Sequence, residues 1–322
     1  MEDNINVYIA SCTEKGGIYH YSMHKDDLGL VNKTEMDRPM YMVMLKDKMY
    51  VLLREAFENN ESGMIAYDID ADGKLLNPSD VITTKGEVAC HLMADGENIY
   101  CTNYISGSVI KMHDTLAVHN GHSIHPSRQK APHPHYVCES PDNKYIFVTD
   151  LGMDKIFIYN KDLTLHGTTD IPAGHGPRHL ACHPDGNTVY CANELMSTVS
   201  ILEYKSGTLT LKDTVSTLPP DYDGKSTVAA IRYSNGKIYV TNRGHNSITV
   251  FNEAMVVEKW IPCGGEEPRD IWVLDDLIIC TNQYSNKVCF IRMTDGNIIY
   301  EMNMEMPLCV WCSNDIGFYL EG

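Results

Sequence analysis

Gly174-His-Gly-Pro-Arg-His179 and, a short way on, Glu194 place an arginine, a histidine and a carboxylate on either side of the turn Pro184-Asp185-Gly186. An arginine is no base, because its guanidinium stays protonated at any accessible pH. It suits a carboxylate, a phosphate or an oxyanion, held through paired N–H donors. Glutamate and histidine can be tuned toward neutral pH in partly buried, charge-rich surroundings, and so can move protons. These residue types fit addition of water to an ester carbonyl. That reaction needs a base for the water, donors for the oxyanion and a proton for the departing oxygen. Glu194 and His135 are both candidates for the base. The chain contains no Gly-x-Ser-x-Gly elbow, no complete phosphate-binding loop and no His-Glu-x-x-His, which disfavours a serine hydrolase, a nucleotide enzyme and a zinc peptidase.

The elements that must position these residues form a repeat. Asn193 has counterparts at Asn103, Asp150, Asn242 and Asn282, in steps of 47, 43, 49 and 40, with a degenerate copy near Arg54-Glu55 if Arg54 is the match. Within each unit the apolar residues alternate, as in Thr188-Val-Tyr-Cys-Ala, Lys237-Ile-Tyr-Val-Thr and Tyr145-Ile-Phe-Val-Thr, which is a strand period rather than a helical one. A period in the forties built of short strands predicts an all-β fold: a seven-bladed β-propeller of four-stranded antiparallel blades, formed by residues 1–322 as one domain. Pro307-Leu-Cys-Val-Trp-Cys reads as a first strand without a sequel. Asn6-Val-Tyr-Ile-Ala-Ser-Cys and Gly17-Ile-Tyr-His-Tyr read as second and third strands without a first. One blade shared by both termini closes the ring and leaves no free edge.

Phase within the repeat decides which side chains meet. Pro177-Arg178-His179, Pro134-His135-Tyr136, Pro268-Arg269-Asp270 and Ala89-Cys90-His91 share one phase, and Tyr104, Leu151, Glu194, Arg243 and Gln283 share another. Equal phase in successive blades means equal height around the central channel. The expectation is therefore that His91, His133, His135, Arg178, His179, Glu194, Arg243, Arg269 and Gln283 crowd one mouth. The plainer readings are local. Asn after a strand ordinarily closes a turn through its own side chain, the role expected of Asn103, Asn242 and Asn282. His119, His122 and His125, with no Cys or carboxylate among them, read as a solvated loop rather than a metal site, and His183 and Asp185 as an exposed turn.

With 26 Lys and Arg against 43 Asp and Glu the formal charge is −17, which argues against nucleic acid or an anionic membrane as partner. No apolar run approaches a membrane span. The start Met1-Glu-Asp-Asn carries no secretory signal, and the eleven cysteines, taken to form no C-x-x-C pair, read as free thiols in a reducing cytoplasm. In so acidic a chain, arginines gathered on the ring axis make a local pocket for an anion.

Pro132-His-Pro-His135, Thr149-Asp-Leu-Gly-Met-Asp154, Gly176-Pro-Arg-His179, Asn193-Glu-Leu-x-Ser197, Thr241-Asn-Arg-Gly-His-Asn-Ser247, Pro268-Arg-Asp270 and Thr281-Asn-Gln283 follow one another in order, and Asn103-Tyr104-x-x-Gly107-Ser108 extends the series upstream. Together they resemble the seven-bladed lactonase family, typified by propeller-type 6-phosphogluconolactonase and including fungal enzymes that lactonise carboxymuconate. The resemblance implies hydrolysis of a sugar lactone, 6-phosphogluconolactone to 6-phosphogluconate of the pentose phosphate pathway before others, without cofactor or metal. It places the catalytic set on His135 (or His133), Arg178, Glu194 and Arg243; phase adds His91, His133, His179, Arg269 and Gln283 around the substrate. A lactone-forming cycloisomerase using the same set, or a non-catalytic binding propeller, are the alternatives. Two departures, Ile9-Ala-Ser-Cys-Thr and Arg54-Glu55-Ala56 with its Glu/Asn insert, bear on substrate choice.

Overall fold

Each second strand of the repeat is buried on both faces, as Tyr145–Asp150 and Thr188–Asn193 show, because neighbouring sheets cover it from either side. Outer strands such as Leu165–Asp170 are mostly exposed. This gradient from axis to rim is that of sheets standing radially around a channel. The computed structural model describes residues 4–24, 27–96 and 98–314, which form seven antiparallel sheets in a ring. The expected tail Asp315–Gly322 lies outside the described residues.

Blade 1 joins the ends of the chain: Pro307–Asn314 is innermost, followed outward by Ile5–Ser11, Gly17–His24 and Asp27–Glu35. Its closure register pairs Val7 with Cys312 and Ile9 with Val310. Blades 3 to 7 begin with the innermost strands Ala89–Asp95, Pro134–Glu139, Pro177–Cys182, Thr227–Ser234 and Pro268–Leu274. Blade 2 begins at Pro39–Leu45, and its outermost place is divided between Leu75–Leu76 and Ile82–Glu87, both of which pair with Glu61–Ile69. Hairpins are closed by local chemistry. Asn235 and Gly236 both take positive φ, as a two-residue turn matched to strand twist demands. In Pro184-Asp185-Gly186 the Asp185 carboxylate accepts from the Asn187 and Thr188 amides, and His183 bonds Glu253, so these two residues do serve the turn.

Apolar layers between blades hold the ring. Between blades 4 and 5, Tyr136, Phe147, Ile158, Leu180, Val189 and Leu202 form one cluster. Truncating a residue such as the fully buried Phe147 to alanine costs about 3–5 kcal/mol.

Three expectations are corrected. The register pairs Pro39 with Leu53, so Leu53, not Arg54, is the counterpart of Asn193, and Arg54 falls in the phase of Glu194. Asn103 and Asn242 do brace the following turn, donating to Ser108 and Ser247, but the asparagines are wholly buried and also serve the neighbouring blade. Asn103 donates to the Thr84 carbonyl and Asn282 to the Cys263 carbonyl, each on the preceding blade, and Asn242 accepts from Thr217. A strand end that must satisfy the blade beside it selects an amide with both donor and acceptor. The thiols also need a correction. Cys309 and Cys312 stand in C-x-x-C spacing, yet in an extended strand residues three apart face opposite sides, and both are buried and free.

Candidate active site

A β-bulge interrupts the start of every innermost strand. The registers skip Leu308, Met40, Cys90, His135, Arg178 and Arg269 in turn, and in blade 6 they skip Ala229 and Ala230. A bulged residue is unpaired and its side chain is re-aimed. Here the bulges form one ring of side chains at one end of the channel, with His135, Arg178 and Arg269 as its polar members. The bulges are pinned across blades: Thr149 donates to the Arg178 carbonyl (2.7 Å), and Cys90 to the His135 carbonyl (3.3 Å).

Gly176 opens the Arg178 bulge. It takes φ +66°, and a Cβ there would meet Leu195 Cγ at 2.7 Å, so the position requires glycine. The Asp154 carboxylate accepts from the amides of Gly174 and Gly176, both at 2.6 Å, which explains the Gly-x-Gly-Pro-Arg order.

Above the ring lies Glu194, only 2 % exposed. Its Oε2 is 3.1 Å from Arg178 Nε and 3.0 Å from Arg243 Nη2, while its Oε1 accepts a hydrogen bond from Arg128 Nη2 at 2.6 Å. Burial alone would raise the Glu194 carboxyl, but Arg243, Arg178 and Arg128 outweigh it and hold the group well below the usual carboxylate range. Burial, then Arg269 and Arg243, push Arg178 down to about 9, which still leaves it protonated at neutral pH. Arg178 Nη1 and Arg243 Nε are buried with no hydrogen-bond partner. Glu267 offers Arg243 a second carboxylate only at 3.9 Å.

His135 is buried with its Nδ1 unpartnered. Burial and then Arg178 hold its imidazole well below the ordinary histidine range, so it is neutral at pH 7. His133, half-buried, stacks on Tyr104 (4.3 Å) and donates from Nδ1 to the Tyr104 carbonyl (2.9 Å). His91 and His179 lie one step deeper than the bulge ring. With Tyr41 and Tyr136 they form a chain of tilted aromatic rings, centroids 3.9 to 4.7 Å apart, that floors the site. Gln283 and Arg269 are partly exposed at the mouth, and Arg269 makes no hydrogen bond or ion pair with the described residues. By strand register the expected residues fall in three tiers at one end of the channel: Glu194, Arg243 and Gln283; then His135, Arg178 and Arg269; then His91 and His179, with His133 against Tyr104. Among the described residues no cluster of three or more His, Cys, Asp or Glu could hold a metal ion. The opposite mouth holds a separate cavity of about 510 Å³, lined by Met44, Met93, Leu180, Tyr233 and Trp311, beneath the aromatic floor.

One arginine joins the site unannounced, Arg128, and one takes an unexpected phase, Arg54. Arg54, just past the second strand of blade 2, takes the phase of Glu194 once the register is corrected, but its nearest carboxylate is its neighbour Glu55 at 3.7 Å, and among the described residues it makes no ion pair with Glu194. Arg128 comes from the loop between blades 3 and 4, expected to be solvated. That expectation fails at His119, which is 4 % exposed, bonds Asp150 Oδ2 (2.6 Å) and the Tyr159 hydroxyl (2.8 Å), and stacks on Phe157 (3.8 Å). Gln129 is buried, donating to the Leu151 carbonyl, and Ser123 donates to Asp154. His122 alone of the three histidines is fully exposed. The one legible sign was Asp150 standing where other blades carry Asn: a carboxylate there calls for a donor with a charge or a ring N–H.

A ring of seven blades with a cationic, carboxylate-centred mouth defines a β-propeller with a charged cluster at one end of its axis. Residues 6–306 match the family described as "Lactonase, 7-bladed beta-propeller", and the chain belongs to that family. It is 28 % identical to an uncharacterized protein of Staphylococcus aureus (strain USA300), with 96 % of each chain covered. The periplasmic gluconolactonase PpgL of Pseudomonas aeruginosa superposes with a TM-score of 0.86 at 22 % identity, covering 96 % of this chain and 99 % of that one. A Bacteroides fragilis protein described as a candidate 6-phosphogluconolactonase gives 0.86 at 22 % identity over 97 % and 98 %. At these identities the two structures establish a shared fold.

Proposed function

We propose that the protein hydrolyses an anionic sugar lactone, 6-phosphogluconolactone before its non-phosphorylated counterpart, at the Glu194 mouth, as a cytoplasmic enzyme. The observation that carries this reading is the charge balance there. Four guanidiniums (Arg128, Arg178, Arg243, Arg269) face two carboxylates (Glu194, Glu267) in a chain whose net charge is −17. Such an excess, with donors left unpaired, favours an anionic ligand and a developing oxyanion. The PpgL gluconolactonase and the candidate 6-phosphogluconolactonase share the fold and bring the same substrate class to mind.

In this scheme the lactone carbonyl lies against the unpaired N–H groups of Arg178 and Arg243, which stabilise the oxyanion as water adds. His135, neutral and unpartnered, takes the proton from the attacking water and returns it to the ring oxygen as the C–O bond breaks. Glu194 is engaged by three guanidiniums and is the weaker proton acceptor, so it holds the arginines in place. General acid–base help of about 10²–10⁴-fold, added to positioning, is enough for a lactone that opens spontaneously. No step calls for a metal or cofactor.

The test is turnover of freshly generated δ-6-phosphogluconolactone beside δ-gluconolactone, before and after exhaustive chelation. Hydrolysis of neither lactone would overturn the reading. Activity lost on chelation and restored by a divalent ion would overturn the charge assignment.

A further inference from the structure

Glu194 is held by three arginines that are not equivalent. The side chains of Arg178 and Arg243 are 2 % and 10 % exposed and reach Glu194 from the blades themselves. Arg128 is 41 % exposed, reaches Glu194 from a loop, and alone makes an aligned hydrogen bond to it, on the outer oxygen Oε1. Its Nη2 also lies 3.2 Å from the Tyr104 hydroxyl, and Tyr104 stacks on His133 at the rim. The loop that carries Arg128 is pinned at several points, whereas its guanidinium is open to solvent. His119 is locked on Asp150, Gln129 on Leu151 and Ser123 on Asp154, and the Arg128 amide itself donates to His125 Nδ1 (3.2 Å).

We infer that Arg128 is the specificity residue for an anionic substituent carried on the lactone away from its carbonyl. At rest Arg128 neutralises Glu194 Oε1; a substrate phosphate at the rim draws the guanidinium off that oxygen. The exchange leaves Oε1 open to accept a hydrogen bond from the attacking water, which it holds for His135. Binding of the anion and completion of the catalytic arrangement are thereby the same event. A guanidinium shared between two anions suits this exchange, since its fork can hold both during transfer. The proposal rests on the lactonase reading for its chemistry but not for its binding step.

The experiment compares the wild type with Arg128→Met, Arg128→Lys, Glu194→Gln and the double variant Arg128→Met/Glu194→Gln. Two readouts are taken: calorimetric binding of 6-phosphogluconate against gluconate, and kcat/KM for the two corresponding lactones. Loss of one charge-assisted contact predicts that Arg128→Met lowers the preference for the phosphorylated member by about tenfold or more in both readouts, with Arg128→Lys between. Glu194→Gln frees Arg128 and tightens 6-phosphogluconate, a gain absent from the double variant. An unchanged phosphate preference in Arg128→Met, at an unchanged melting temperature, overturns the proposal. So does a Glu194→Gln gain that survives in the double variant. Should the wild type hydrolyse neither lactone yet bind 6-phosphogluconate through Arg128, the lactonase reading falls and the anion site stands. Should it bind neither acid and hydrolyse neither lactone, both fall.

Discussion

Arg128 and Arg178 grip opposite oxygens of one buried carboxylate, Arg128 on Glu194 Oε1 at 2.6 Å and Arg178 on Oε2 at 3.1 Å. One arrives from a loop and the other from a bulge in the neighbouring blade. Both supporting segments are tied to Asp154, through Ser123 on one side and through Gly174 and Gly176 on the other. The site is therefore one hydrogen-bonded unit across blades 4 and 5, and perturbations within it should not be additive.

The division of labour between Glu194 and His135 is open to a direct test. His135→Asn should reduce kcat by about 10²–10⁴-fold with little change in KM, as loss of a proton carrier requires. Glu194→Gln should reduce kcat less, but breaking a buried ion pair should lower stability by about 3–5 kcal/mol, read by thermal melting. A larger kcat loss in Glu194→Gln than in His135→Asn would exchange their roles.

Depth separates the arginines. Arg269 stands in the bulge ring beside His135 and Arg178, at the level of the reacting carbonyl. Arg269→Ala should therefore depress kcat/KM for phosphorylated and plain lactones by similar factors, as should Arg243→Ala. A loss confined to the phosphorylated lactone in either variant would show that this arginine holds the phosphate.

Stability should fall with acid from neutral pH downward. Burial first, with arginines adding to it, holds His91, His135 and His179 well below the ordinary histidine range. Their folded pKa values lie under the unfolded value of about 6.5, so the unfolded chain binds more protons and stability rises with pH up to that value. Below pH ~6.5 each group removes up to about 1.4 kcal/mol per pH unit. Glu194, also depressed, adds a further loss below pH ~4.3, where the unfolded carboxylate protonates. Melting temperatures from pH 7.5 to 5 should drop, and His179→Phe should flatten the slope; a flat profile in the wild type contradicts the neutral, buried assignment.

Gly176→Ala should disturb the site more than its size implies. The left-handed φ and the 2.7 Å approach to Leu195 together predict a loss of about 1–3 kcal/mol. Displacement of the Arg178 bulge should lower kcat alongside. Asp154→Asn should produce a milder form of the same pair of effects, measured by melting and by lactone turnover.

The sequence by itself determined the architecture and the phase of most strand residues that face the channel. Alternation in runs such as Tyr145–Asp150 specifies strands, a step near 46 specifies seven blades, and the orphaned strand at Pro307 specifies closure by both termini. Phase could assign Arg178 and His135 to one height because a strand advances each residue by a constant rise. It could not show that this height is a ring of bulges, since a bulge is a mismatch between two paired strands and belongs to neither alone. Nor could it bring Arg128 to Glu194, 66 residues away. That loop follows no period; its path is set by the packing of His119 against Asp150, Tyr159 and Phe157 in the next blade. Periodicity records how elements repeat, whereas the meeting of a loop side chain with a buried carboxylate depends on the surface the folded blades present to it.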